Sequence, residues 1–128
     1  VAIFFPLLSG DRHAAQGIEA ARTLLEATGH GAPGGPWVPL GAGVHTGTAW
    51  VGAVGAGIHT TVTALGDAVD TAARLASAAR AGEILVTIDA ATAAGLDPNL
   101  EQRPLELKGK QDLVEIVTLT VSSAVKAG

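Results

Sequence analysis

The chain has 128 residues, of which 48% are hydrophobic and only four are aromatic, and its net charge is −4. This length and hydrophobicity suffice for one folded domain and exclude disorder as a general state. The acidic balance leaves no basic stripe for nucleic acid, no apolar run approaches the about 18 residues of a membrane span, and the absence of cysteine excludes disulfides.

The first predicted elements are a strand and a helix. Residues 1–5 form an apolar run ended by Pro6, which is typical of a buried strand. Asp11 is a candidate N-cap for a helix that runs to about Ala27. Apolar residues at helical spacing predict its buried side: Ala14, Ile18, Ala21 and Leu25. Because the chain lacks methionine and begins within an apolar run, we expect a piece of a longer polypeptide.

Three extended segments follow a loop rich in glycine and proline. Residues 38–45 and 48–54 predict two strands, and the tight connection at Thr46-Gly47 predicts that they pair as a hairpin. Residues 60–65 contain three threonines and continue in extended conformation. We interpret His45 as a strand residue with a satisfied hydrogen bond, in preference to a chemical role.

A helix running to about residue 79 carries the most informative polar pattern. Asp67, Asp70 and Arg74 fall within roughly 60° of each other at about 100° per residue. Apolar residues on the opposite side predict the face that packs into the core: Leu65, Val69, Ala72 and Ala76. A guanidinium held on a packed helix can bind phosphate, but Asp70 and Arg74 are four residues apart and can equally form an ordinary exposed ion pair.

The remaining chain predicts a strand, a short helix and a final pair of strands. Residues 83–87 form a short buried strand, and Asp89 is a candidate cap for a helix through Ala94 that Gly95 ends. Two strands and the turn between them complete the pattern: 105–107, 108–110 and 113–121.

This order of elements predicts the fold class. Strands and helices alternate, yet tight hairpins are also present, which favours an α+β sandwich with a mostly antiparallel sheet and helices on one face. We expect one domain over residues 1–121 and a loose tail over 122–128.

Five segments resemble, in order and spacing, the class III adenylate/guanylate cyclase catalytic domain: GVHTG (43–47), VGAVG (51–55), ALGDAVDTAAR (64–74), GEILV (82–86) and LELKGK (105–110). The likeness extends from about residue 1 to residue 120. It implies that the α+β sandwich is ferredoxin-like and that the domain dimerises head to tail.

The resemblance also implies an activity. Such domains convert ATP or GTP to the 3′,5′-cyclic monophosphate and pyrophosphate, and each active site draws residues from both subunits. Two aspartates of one subunit hold two divalent ions, Mg²⁺ or Mn²⁺. The implied partners are therefore a nucleoside triphosphate and a second cyclase domain, and the implied location is the cytoplasm.

Four positions match functional residues of the family. Arg74 matches the arginine that stabilises charge on the phosphoryl group in the transition state, and Asp70 stands in the place of an asparagine that positions the ribose. Lys108 matches the lysine that binds the triphosphate, and Thr63 lies where the family contacts the purine edge. Without the resemblance, Lys108 is an exposed turn residue and Thr63 an ordinary strand residue.

Two departures from the family pattern bear on activity. The metal-binding aspartates and the purine-selecting lysine of the family belong before Val1, so we expect these 128 residues alone to make no cyclic nucleotide. Asp70 offers only acceptors where asparagine also donates, and it brings negative charge toward a polyanion, which predicts lower turnover or altered nucleotide preference. The alternatives are a non-catalytic cyclase-like regulatory domain and an unrelated ferredoxin-like binding module.

Overall fold

A computed structural model describes residues 12–47, 50–54, 61–65, 67–107 and 113–121, and 50–54 and 61–65 are described by their backbone. Three helices and six strands lie within these ranges. In chain order they are α1 (His13–Ala27), β1 (Ala42–Val44), β2 (Trp50–Val54), β3 (Thr61–Leu65), α2 (Asp67–Ala78), β4 (Ile84–Thr87), α3 (Ile88–Ala94), β5 (Arg103–Leu105) and β6 (Val114–Leu119). None of these helices is both long and apolar enough to cross a bilayer.

Helix α1 confirms the periodicity read from the sequence. Its four buried residues are the predicted ones: Ala14, Ile18, Ala21 and Leu25. The residue before the helix is Arg12, whose side chain makes no capping hydrogen bond, while the predicted cap, Asp11, lies outside the described residues. Gly29 adopts a φ of +94°, a left-handed conformation that suits glycine and ends the helix.

The main sheet has four strands in the order β1-β4-β6-β5. Strand β1 runs parallel to β4, with Gly43 opposite Leu85. The other two pairs are antiparallel, and they place Leu85 opposite Thr118 and Leu105 opposite Val114. With three helices packed on a mixed sheet, the predicted α+β class is confirmed.

Strands β2 and β3 form a separate antiparallel pair, with Gly52 opposite Thr63. The predicted hairpin between 38–45 and 48–54 is therefore wrong. Strand β1 takes its partner from β4, about 40 residues further along the chain, and β2 pairs with β3 instead. Thr46 and Gly47 thus lie between strands of two different sheets and do not join a pair of neighbours.

The helices pack on both faces of the main sheet. Residues of α1 and α3 share a core cluster with Ile84, Val86, Val117 and Leu119. Leu75 of α2 belongs to a second cluster with Leu85, Leu107 and Ile116. Successive strand residues point to opposite faces, so Leu85 lies on the face opposite Ile84 and Val86. This arrangement differs from the single helical layer expected from the sequence.

The buried side of α2 also differs from the predicted one. Thr71 and Leu75 are its buried residues, whereas Ala76, predicted to face the core, is exposed. At about 100° per residue, the buried side is rotated by roughly a quarter turn from the predicted face. The cause is β1, because α2 lies over Gly43, where an added Cβ would come within 2.6 Å of Leu75 Cβ and of Ala76 N.

The C-terminal elements lie close to their predicted positions, with two shifts. Helix α3 is capped by Thr87, whose hydroxyl accepts from the Ala90 N–H, and Asp89 lies in the first turn instead of capping it. Strand β5 covers Arg103–Leu105 in place of 105–107, because Leu107 is buried in the cluster with Leu75. The predicted strand at 1–5, the turn at 108–110 and the tail at 122–128 fall outside the described residues.

Candidate functional site

Helix α2 brings together two of the four predicted site residues. Arg74 Nε donates to Asp70 Oδ2 at 2.8 Å, one helical turn apart. The side chains are 34% and 47% exposed, so both reach solvent. An exposed pair at this spacing contributes about 0.3–0.5 kcal/mol to stability. The ion pair expected from spacing alone is confirmed, and it concerns the same two residues that the resemblance assigns to the substrate.

The position of Arg74 is determined by the packing of α2 on β1. Its chain neighbour Leu75 is fully buried, and the adjacent turn packs closely against Gly43 of β1. Since Arg74 lies beside the buried stripe, its side chain is partly covered, with 34% of it exposed, as is usual for an arginine whose stem packs while its charged group meets water. A cation on such a stem is held in place before any ligand arrives, which is the property that phosphate binding requires.

Lys108 lies outside the described residues, but the residue before it does not. Leu107 is 2% exposed and belongs to the same core cluster as Leu75. Leu107 directly precedes Lys108, and Leu75 directly follows Arg74. The backbone that leads into the predicted lysine is therefore anchored at the helix that carries the predicted arginine.

Thr63 is placed by the backbone of β3. It pairs with Gly52 and lies two residues before the end of the strand. Helix α2 begins at Asp67, immediately beyond this strand, and the two elements are in contact. The fold thus places Thr63 on the element that leads into the Asp70–Arg74 helix, and no contact between Thr63 and that pair is described.

Two histidines take part in hydrogen bonds at the carboxyl ends of the parallel strands. His45 Nδ1 lies 2.8 Å from Thr87 Oγ1, which confirms that this histidine has a satisfied hydrogen bond. His13 Nε2 lies 3.1 Å from Thr46 Oγ1 and connects the start of α1 to the end of β1. The sequence did not identify these pairs, because their members are 42 and 33 residues apart. They link helices to strand ends around the beginning of α2.

The described residues do not form a metal site. They include no group of three or more histidine, aspartate or glutamate side chains placed to hold an ion. Asp67 and Asp70 both lie in the first turn of α2, but Asp70 is engaged by Arg74. The described residues thus offer no ligand set for the two divalent ions, whose ligands the resemblance places before Val1.

A groove of about 650 Å³ among the described residues is lined by neither Arg74 nor Asp70. It runs between the end of α2 and the outer strands, and charged side chains of both signs line it, among them Arg80, Glu83 and Arg103. The cation and the acid on α2 therefore belong to an open surface and not to this groove.

Comparison with solved structures returns nucleotide cyclase domains. The guanylate cyclase domain of RhGC from Catenaria anguillulae, in complex with GTP, is 20% identical with a TM-score of 0.62, over 85% of this chain and 60% of that one. The guanylyl cyclase Cya2 is 24% identical with a TM-score of 0.59, over 84% and 58%. The adenylyl cyclase CyaB from P. aeruginosa is 26% identical with a TM-score of 0.50, over 81% and 52%.

The chain thus has the fold of the adenylyl and guanylyl cyclase catalytic domains, and the class III cyclase resemblance of its sequence is confirmed. It spans about 60% of the length of the guanylate cyclase domain of RhGC. No family model matches the chain, and no curated protein matches it.

Proposed function

We propose that this chain forms part of a nucleotide cyclase that converts ATP or GTP to the 3′,5′-cyclic monophosphate and pyrophosphate. The observation that carries the proposal is Arg74, a partly exposed arginine on a packed helix in a cyclase fold. Two of the structural neighbours support the choice of nucleotide: one is a guanylate cyclase domain solved with GTP and another is an adenylyl cyclase.

In the proposed reaction the ribose 3′ oxygen forms a bond to the α-phosphorus. The bond from that phosphorus to the bridging oxygen breaks, pyrophosphate leaves with the electron pair, and the 3′ hydroxyl proton passes to solvent. Negative charge grows on the phosphoryl oxygens and the leaving group, and a positioned cation stabilises it. Arg74 supplies that cation, and loss of one such group costs about 10²–10³ in rate.

The other three residues bind the nucleotide. Lys108 neutralises the triphosphate, and the anchoring of Leu107 beside Leu75 supports its acting on the same ligand as Arg74. Asp70 accepts a hydrogen bond from a ribose hydroxyl, because an ionised carboxylate only accepts. Thr63, on the strand that leads into α2, contacts the purine edge.

The proposal includes a second copy of the domain as partner, in a head-to-tail dimer whose sites are shared. It also includes two divalent ions, which the described residues do not hold. We therefore propose that the 128 residues by themselves are inactive. Product formation by this chain with Mg²⁺ or Mn²⁺ would overturn that part of the proposal.

The test is an assay of the full-length protein with ATP and with GTP, in Mg²⁺ and in Mn²⁺, with the cyclic nucleotide measured directly. We expect product from one nucleotide and at least a hundredfold loss of kcat in Arg74→Ala. Arg80→Ala is the matched control, because Arg80 is an exposed arginine just beyond the same helix. Equal loss in both variants, or no product with any combination, contradicts the proposal.

The second candidate is a non-catalytic cyclase-like domain that regulates or dimerises with others. The pairing of Arg74 with Asp70 favours it, because a paired guanidinium is partly neutralised. The same assay decides between the two candidates, since a regulatory domain forms no product and yet associates with a second cyclase domain.

A further inference from the structure

Among the groups that contact Arg74 is an acid of its own helix. Asp70 Oδ2 lies 2.8 Å from Arg74 Nε, which is the distance at which a phosphate oxygen binds the same nitrogen. We infer that Asp70 competes with anionic ligands for Arg74 and thereby sets a low affinity of this site for polyphosphates. The inference rests on the proposed function, and it assigns Asp70 a regulatory effect on that site.

Exchange of partners at Arg74 is feasible because the pair is open to water. The two side chains are 34% and 47% exposed, so their interaction is screened and contributes little to folding. Arg74 can leave Asp70 for a phosphate without loss of helix α2, which Leu75 and Gly43 hold in place. The contact of Asp70 with Arg74 thus lowers ligand affinity without being needed to hold helix α2 in place.

Charge adds to this competition. A polyphosphate bound at Arg74 carries several negative charges within roughly 8 Å of the Asp70 carboxylate, and each is repelled across screened water. Summed over a triphosphate, this repulsion corresponds to about a three- to tenfold weaker affinity. Pyrophosphate is repelled as well, so the same acid favours release of the proposed product.

The experiment titrates inorganic tripolyphosphate into this chain and into its Asp70→Asn variant. The readout is the side-chain Nε–H resonance of Arg74 in ¹H–¹⁵N spectra, because that atom donates to Asp70. We expect the dissociation constant to fall about three- to tenfold in Asp70→Asn. Asp89→Asn, an exposed acid in the first turn of α3, is the matched control and should equal the parent chain.

Three outcomes overturn the inference: unchanged affinity in Asp70→Asn, weaker affinity in that variant, or an Arg74 resonance that responds to tripolyphosphate in neither protein. Backbone spectra of each variant confirm that the fold is retained. Turnover of the full-length protein is measured in parallel. If the full-length protein forms product but tripolyphosphate binds the parent chain and Asp70→Asn equally, the inference alone is refuted. If the affinity shifts in Asp70→Asn but the full-length protein forms no product, the proposed function alone is refuted.

Discussion

Thr87 is a single residue that joins three elements. It ends β4, its hydroxyl accepts from the Ala90 N–H to begin α3, and the same oxygen lies 2.8 Å from His45 Nδ1 beyond β1. The side chain is only 2% exposed, so water cannot replace these partners. A buried hydroxyl with two protein partners is more costly to lose than an exposed one.

We expect Thr87→Val to lower the free energy of unfolding by about 1–2 kcal/mol, because the shape is kept while the cap and the His45 contact are lost. Urea denaturation measures the change. Thr118→Val is the control, since the hydroxyl of Thr118 on β6 accepts from the exposed Arg103 side chain. Its expected cost is within about 0.5 kcal/mol. Equal losses of unfolding free energy in the two variants would contradict a greater stabilising role for the Thr87 hydroxyl.

Single-residue inferences held where the partners are near in sequence. Asp70 and Arg74 are one turn apart, and spacing alone predicted their pairing. His45 and Thr87 are 42 residues apart, and only the parallel pairing of β1 with β4 brings them together. The sequence predicted Asp89 as the cap of α3, because aspartate is a common N-cap. The cap is instead Thr87, the last residue of β4.

The close packing of α2 on β1 depends on a glycine within the strand, Gly43, and on two glycines that flank it. An added Cβ at Gly41, Gly43 or Gly47 would lie within 3.0 Å of α2 or of the residues just beyond it. The absence of a side chain at these three positions therefore forms the surface on which the helix rests. The approach of the helix, and with it the position of Arg74, is therefore encoded in β1 and its flanks as much as in α2.

Gly47 offers a direct test, because its one close neighbour is a side-chain carbon. An added Cβ would lie 2.9 Å from Ala68 Cβ, and the next contact, His45 Nε2, is at 3.6 Å. We expect Gly47→Ala to destabilise by about 1–3 kcal/mol, and Ala68→Gly to recover much of that loss in the double variant. Strict additivity in a double-mutant cycle would contradict the packing. Gly43→Ala should resist rescue, since it meets the backbone N of Ala76.

Helix α1 carries a second ion cluster, in which Arg22 contacts Glu19 and Glu26 on the exposed side. The hydrogen bond from Arg22 holds the pKa of the Glu19 carboxyl below its ordinary value, and it raises the pKa of Arg22. A carboxyl group whose pKa is lower in the folded than in the unfolded state stabilises the folded state at pH values above its unfolded pKa. This stabilisation is lost as the pH falls through the folded pKa. Because Glu19 is exposed, solvent screening keeps the effect small.

We expect a carboxyl-carbon NMR titration to place the pKa of Glu19 below that of an unperturbed glutamate. Arg22→Gln should return that pKa upward, because it removes the hydrogen bond that is the largest cause of the shift. Arg80→Gln, at an exposed arginine outside α1, should leave the titration unchanged. An unshifted pKa in the parent chain would contradict the cluster.

For the whole molecule, the sequence predicted the class of fold better than its pairing. The periodicity of α1 is local and was correct, and the α+β class followed from the order of elements. The sheet order and the second helical face depend on β1 pairing with β4 across the intervening chain, which no local pattern reports. The candidate site shows the same contrast between local and distant contacts. The pairing of Asp70 with Arg74 could be predicted from the sequence, whereas the packing of Leu107 in one cluster with Leu75 could not.

The proposed sharing of the site between two copies would make activity depend on association. If Arg74 of one subunit acts on a nucleotide held by its partner, a separated subunit is inactive. The fraction of subunits that are in dimers depends on protein concentration by mass action. We expect the specific cyclase activity of the full-length protein to fall on dilution, over the same concentration range in which sedimentation detects dissociation. Specific activity that stays constant while dimers separate would place the complete site in one subunit. The Arg74→Ala variant is the control and is mixed with the parent protein at the same total concentration. It distinguishes loss of dimers from loss of chemistry, because it should dimerise normally and add no turnover of its own.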